Sequence, residues 1–107
     1  MINKFELRLG NFVGIDPGDY REFKRIKKGW DIEDLKETNV PLPINEFWKK
    51  RFNISYKSTP LDFGGFKIEI GIDALIVEFV ALKEPGSVHE LQNFYFFQTG
   101  EELWPNT

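Results

Sequence analysis

The stretch from Ser87 to Gly100, SVHELQNFYFFQTG, decides the fold. Ser87 followed three residues later by Glu90 is a capping box, a pattern that gives two orphan backbone N–H groups at a helix start their side-chain partners. Gly100 stands where a helix stop wants a residue at positive φ. The spacing predicts a helix of about twelve residues, near 18 Å long at a rise of about 1.5 Å per residue. Val88, Leu91, Phe94 and Tyr95 recur at three- and four-residue spacing and so share one face. Phe96 and Phe97 widen that face. A helix this aromatic is expected to be covered on more than one side, packed on a sheet as the core of a single domain spanning residues 1–107.

Size and composition agree with one domain. The chain has 107 residues, 16% of them aromatic, with eleven Phe. A chain of this length buries roughly 65% of its unfolded surface. There is no cysteine, which excludes a disulfide framework and any thiolate metal site and fits a reducing compartment. No apolar run approaches the roughly 20 residues that span a bilayer. The start, MINKFELRLGNF, lacks the apolar centre of a signal peptide. The expectation is a soluble cytoplasmic protein with no membrane partner.

Net charge is −3, but the charges are unevenly spread. Residues 1–57 hold 12 Lys or Arg against 9 Asp or Glu, and residues 58–107 hold 2 against 8. A basic first half and an acidic second half can serve a charged partner or complement each other internally.

From the N-terminus, Phe5, Leu7 and Leu9 alternate with Glu6 and Arg8, the pattern of a short strand. Phe12 to Ile15 reads as a strand ending at the turn Asp16-Pro17-Gly18-Asp19. Tyr20 to Lys28 reads as the returning strand, near a sheet edge because of its lysines. Asp31 to Thr38 is open between one turn of helix and a bent strand. Pro41 and Pro43 force an extended segment, and Asn45 caps a short helix over Glu46 to Phe52 with Trp48 and Phe52 inward. Asn53 suits the left-handed position that stops it. Tyr56 to Leu61 is a connection or short strand, and Gly64-Gly65 a hairpin-type turn. Phe66, Ile68, Ile70 and Ile72 alternate with Lys67, Glu69 and Gly71, a half-buried strand. Leu75 to Leu82, LIVEFVAL, is almost continuously apolar and reads as a central strand covered on both faces, antiparallel to its predecessor. After Gly100, Leu103 and Trp104 are placed to fold back onto the core. The fold class expected is α+β: a mostly antiparallel twisted sheet, with room for a small barrel-like N-terminal part, packed against the aromatic C-terminal helix and one short helix.

Catalytic patterns are sparse. His89 is the one histidine, in the first turn of the last helix, where the dipole disfavours its cation. With no second histidine, no HExxH, no P-loop and no GxGxxG, neither a metal site nor a cofactor is expected. Glu69 and Glu78 could face each other across a hairpin, and Asp62 and Asp73 are a second carboxylate pair, but exposed strand positions collect such carboxylates for solubility, and that reading is preferred. Asp31, Glu33, Asp34 and Glu37 lack the spacing of a calcium loop. No enzyme is expected. The basic residues are a better lead. Arg21, Lys24, Arg25, Lys27 and Lys28 fall within eight residues beside Phe23 and Trp30, and Lys49, Lys50 and Arg51 form a second group. Basic side chains interleaved with aromatics suit phosphates, bases or an acidic protein surface.

The ending VHELQNFYFFQTGEEL, Val88 to Leu103, resembles the closing segment of small phage and prophage proteins of Bacteroidetes, in which a VHxLQNLYFxLTGEEL-like ending recurs. The opening ELRLGNFV, Glu6 to Val13, is similar to theirs, and Pro41-Leu42-Pro43-Ile44-Asn45 before Phe47-Trp48 resembles their proline-led short helix. Asn45 replaces a threonine cap, and Phe97 and Gln98 depart from the usual ending. The resemblance covers about a third of the chain and brings no catalytic residues. It implies a phage accessory protein acting in the cytoplasm of a bacterial host cell. The functional expectation is an inhibitor of a host defence machine, of the anti-CRISPR kind, that blocks an RNA-guided nuclease by protein contact. Its partner is then a host protein or ribonucleoprotein complex. The alternative is a nucleic-acid-binding accessory protein in phage replication or transcription control, in direct contact with RNA or DNA. The residues expected to carry binding are Arg21, Lys24, Arg25, Lys27, Lys28, Trp30, Lys49 and Lys50.

Overall fold

The computed structural model describes residues 2, 4–16, 18–36 and 38–103, with backbone alone at 19–21. It is an α+β fold. A short 3-10 turn at Lys4–Glu6 is followed by strands β1 (Phe12–Asp16) and β2 (Asp19–Arg25) and helices α1 (Gly29–Glu33) and α2 (Glu46–Phe52). Strands β3 (Ile54–Pro60), β4 (Phe66–Ile72) and β5 (Leu75–Ala81) come next, and helix α3 (Val88–Thr99) closes the order. The chain forms two compact units, one from residues 1–44 with 86–102 and one from residues 45–85 with Leu103. The expected sheet is two separate antiparallel sheets, β1-β2 and β3-β4-β5. No closed barrel occurs among the described residues, and none of their helices is long and apolar enough to cross a membrane.

In the first unit, β1 and β2 form a hairpin in which Phe12 faces Arg25, Val13 faces Lys24 and Gly14 faces Phe23. Asp16 Oδ1 closes its turn by accepting the Gly18 N–H at 2.8 Å. On the far edge of β1, Gly14 N–H donates to Val40 O at 2.8 Å, and Gly14 O accepts from Val40 N–H at 3.2 Å. Only glycine allows this approach, because a Cβ there would stand 2.8 Å from Val40 Cγ2. The core holds Ile2, Leu7, Val13, Ile26 and Leu35, with Ile32 packed against them. Leu7 is therefore inward as expected, but the anticipated opening strand is a 3-10 turn. Phe5 and Leu9 are exposed.

Helix α3 packs on β1. Ser87 Oγ accepts the Glu90 N–H at 3.5 Å, and Gly100, at φ 76°, donates to Phe96 O at 2.8 Å. Both ends stand where the sequence placed them. The face does not. Val88, Leu91 and Tyr95 are buried, yet Gln92 and His89 are buried with them, and Phe97 is 88% exposed. At 100° per residue Phe97 lies off the stripe that Val88, Leu91, Gln92 and Tyr95 define. Phe96 is covered from another direction: the Arg8 guanidinium lies 4.1 Å from its ring centre.

In the second unit, Asn45 Oδ1 caps α2 by accepting the Trp48 N–H at 3.1 Å, and Asn53 ends it at φ 55°. Trp48 and Phe52 are buried with ring centres 5.6 Å apart. Strands β3, β4 and β5 form a meander with β4 in the middle, and Ile68 and Ile70 are fully buried. Tyr56 to Pro60 belongs to β3, whose register with β4 runs unbroken from Ile54↔Ile72 to Pro60↔Phe66. The reading of LIVEFVAL as a central strand needs correction. β5 is an edge strand, and Leu75, Ile76, Val80 and Leu82 are all exposed, Val80 at 72% and Leu82 at 93%. A continuous apolar run marks a central strand only where a partner flanks it on each side, and here the alternating strand β4 holds that place. Leu103 is buried. Trp104 lies outside the described residues.

Candidate functional site

The basic segment continues from β2 into α1. The pleat puts Phe23 and Arg25 on one face of the hairpin with Phe12, since Phe12 faces Arg25 and Gly14 faces Phe23. The Phe12 and Phe23 rings meet edge to face at 5.8 Å, and the Arg25 guanidinium lies 6.0 Å from the Phe12 ring centre. Arg25 thus sets its planar cation over one ring of the pair, Phe12. Lys24 takes the opposite face beside Val13. Arg21 lies in β2, and the structure describes its backbone only.

Lys27 and Lys28 leave the strand and enter α1, whose first turn Asp31 ties down. Asp31 Oδ2 accepts the backbone N–H of Lys27 and of Lys28, each at 2.9 Å. These two bonds hold the Asp31 carboxyl below its ordinary pKa of 3.8, and the charges of Lys24 and Lys28 act in the same direction. Trp30 follows at once, 58% exposed. The Lys28 ammonium stands 4.7 Å from its ring centre, a cation–π contact that leaves the rest of the indole to solvent. Lys24, Lys27, Lys28 and Trp30 are thereby gathered around Asp31. Gly29 and Trp30 begin helix α1, which takes Asp31–Glu33 of the segment left open between helix and strand; Asp34, Leu35, Lys36 and Thr38 are neither.

Lys49 and Lys50 belong to the other unit. They border an open cleft of about 400 Å³ with Asn53, Ser55, Asp73 and Ile76. Lys49 is engaged by Glu46 at 3.2 Å, one turn back on α2. Glu69 and Glu78 do face each other across β4 and β5 as the alternation suggested, but Lys67 reaches both, at 3.2 and 3.7 Å. The pair forms an ion cluster around one ammonium.

Two features escaped the sequence. Arg8 forms a hub: it donates to Asn93 Oδ1 at 2.9 Å and to Glu102 Oε1 at 2.7 Å, besides covering Phe96. His89, expected as an ordinary first-turn side chain, is only 1% exposed, and burial lowers its pKa from 6.5. Around it stand Ser87, Glu90 and, from the N-terminal turn, Glu6. Glu6 and His89 are 83 positions apart, so no local spacing could announce the cluster. Comparison with protein-family models, with curated proteins and with solved structures finds no match to this chain.

Proposed function

We propose that this chain is a phage accessory protein that acts by binding, and that it inhibits a host defence machine of the RNA-guided nuclease kind by occluding one of its surfaces. The reading rests on Trp30: an indole more than half exposed, held on an anchored turn and flanked by lysines. A tryptophan costs little side-chain entropy when immobilised, and such residues dominate interface energies when a partner buries them. Lys24, Lys27 and Lys28 around it supply the charge that steers an acidic partner surface and sets orientation. The resemblance of the ending and opening of the chain to phage proteins supports the biological setting.

Protein contact is favoured over nucleic acid by the company Trp30 keeps. Asp31 sits within the basic group, and Glu33 and Asp34 follow in the same segment. A phosphate backbone meets those carboxylates unfavourably, whereas a protein surface can answer both signs. The test is an affinity pull-down of the tagged protein from host lysate, with and without nuclease treatment. A stoichiometric protein that survives nuclease supports the inhibitor. Partners that all vanish with nuclease, or recovery of nucleic acid alone, point to the nucleic-acid-binding accessory protein instead.

A further inference from the structure

The residues Glu6, Ser87, His89 and Glu90 raise a question of proton inventory. Ser87 Oγ lies 2.9 Å from Glu90 Oε1 and 3.2 Å from His89 Nδ1. A serine hydroxyl has one proton to give, and an ionised carboxylate has none. The 2.9 Å contact to Glu90 is therefore Ser87 O–H donating to the carboxylate. The 3.2 Å contact must then be Nδ1–H donating to Ser87 Oγ. This chain of bonds fixes the imidazole tautomer and leaves Nε2 as a bare lone pair.

That lone pair has no hydrogen-bond partner, and His89 is 99% buried by its 1% exposure. What faces it is Glu6 Oε2 at 3.6 Å, another lone-pair atom and beyond ordinary hydrogen-bond reach. Two electron-pair donors pointed at one space, one of them buried, call for a cation between them. A proton on Nε2 would instead pair its charge with Glu6 Oε2 at 3.6 Å, so a metal ion and a proton compete for the same space. One ligand atom from each of Glu6, His89 and Glu90 lies within 4.8 Å of the other two.

We propose that Glu6, His89 and Glu90 form a site for one divalent transition-metal cation of the zinc type, with His89 Nε2 and Glu6 Oε2 as the close pair of ligands. The geometry accommodates it. Zinc bonds of about 2.0–2.1 Å to both atoms across their 3.6 Å separation give an angle near 120° at the metal. Ligands on a tetrahedral zinc stand about 3.4 Å apart at such bond lengths, so the widest pair, within 4.8 Å, closes by up to roughly 1.4 Å on loading. Glu6, whose side chain is 47% exposed, has room for that movement. The donor set of one imidazole and two carboxylates suits zinc better than calcium or magnesium, which take oxygen almost alone. The Ser87–Glu90 relay does what an outer hydrogen bond does for metal-bound histidines: it holds the ring and its tautomer. The metal would clip the N-terminal turn to the first turn of α3, 83 positions later in the chain.

The test is a titration of the untagged protein with zinc chloride in a non-chelating buffer, followed by calorimetry and by ¹⁵N NMR of the His89 ring. The expected result is one zinc per chain, a Nε2 signal that moves from a bare to a metal-bound nitrogen, and a raised melting temperature. Glu6→Gln should weaken binding by at least about tenfold. Glu46→Gln, at an exposed residue elsewhere, should leave it unchanged. His89→Gln alters a buried position, so Glu6→Gln, at a half-exposed one, carries the decision if that variant fails to fold. No binding at millimolar zinc, binding that Glu6→Gln leaves intact, or a free protein whose Nε2 carries the proton would each overturn the proposal.

Discussion

Gln92 and Phe12 are joined by a bond that makes a helix side chain behave as a strand. Gln92 Oε1 accepts the Phe12 backbone N–H at 2.9 Å, while Gln92 Nε2 donates to Gly10 O at 3.0 Å. The amide completes the backbone pairing where β1 begins, and it is fully buried. Gln92→Ala strands one buried N–H and one buried C=O. At about 1–3 kcal/mol for each unpaired group, the expected loss is about 2–6 kcal/mol, read as the shift in urea unfolding free energy. A loss below about 0.5 kcal/mol, the range of ordinary surface substitutions, would show that α3 does not organise β1 in this way.

Gly14 offers a second test of the same hairpin. Its missing Cβ admits Val40 on one side and Leu42, whose Cδ2 would lie 3.3 Å away, on the other. Gly14→Ala forces the Val40 bridge apart and should cost about 1–3 kcal/mol, the usual price of overpacking. Gly29→Ala, where a Cβ meets nothing within 4 Å, should be close to neutral. The contrast is measurable by thermal melting of the two variants side by side.

β5 exposes apolar side chains along an edge, with no proline or lysine within the strand to discourage further pairing. Val80→Lys should therefore raise solubility and reduce concentration-dependent self-association, while changing stability by no more than about 0.5 kcal/mol, as exposed substitutions do. Light scattering over a concentration series checks the first part and chemical unfolding the second.

Asp31 predicts a pH dependence. Its carboxyl is held below 3.8 in the folded chain by the Lys27 and Lys28 N–H groups. The unfolded state then binds the proton more readily, so stability rises with pH in that range. The contribution is fully present above pH 3.8 and disappears as pH falls through the lowered folded value. A ¹³C NMR titration should place the Asp31 midpoint under 3.8. Asp31→Asn should remove this limb of the acid dependence and loosen α1.

Ser87, Glu90 and Gly100 announced α3 because capping is local chemistry, and Asn45 and Asn53 announced α2 for the same reason. The hairpin β4-β5 was readable from alternation and a short turn. What could not be read was anything set by neighbours distant in sequence. LIVEFVAL has the composition of a central strand, and its place at the end of the order β3-β4-β5 among the described residues makes it an edge. Gln92 looks like a solvent-facing residue until Phe12 and Gly10 are beside it. The same holds for function. The basic residues around Trp30 are close in sequence and were visible as a group, and the structure brings Lys24, Lys27, Lys28 and Trp30 around Asp31. Glu6 and His89 meet only through the fold.

The central claim is that this protein works by binding through the surface around Trp30. The most direct measurement is quantitative recovery of the host partner by wild type and by a variant carrying Lys24→Glu, Lys27→Glu, Lys28→Glu and Trp30→Ala, with Lys49→Glu/Lys50→Glu as a comparison, after confirming that each is folded. The account predicts that the fourfold variant loses the nuclease-resistant partner by at least tenfold, since one buried tryptophan anchor alone is worth about 2 kcal/mol or more. Undiminished recovery by the folded fourfold variant would contradict it.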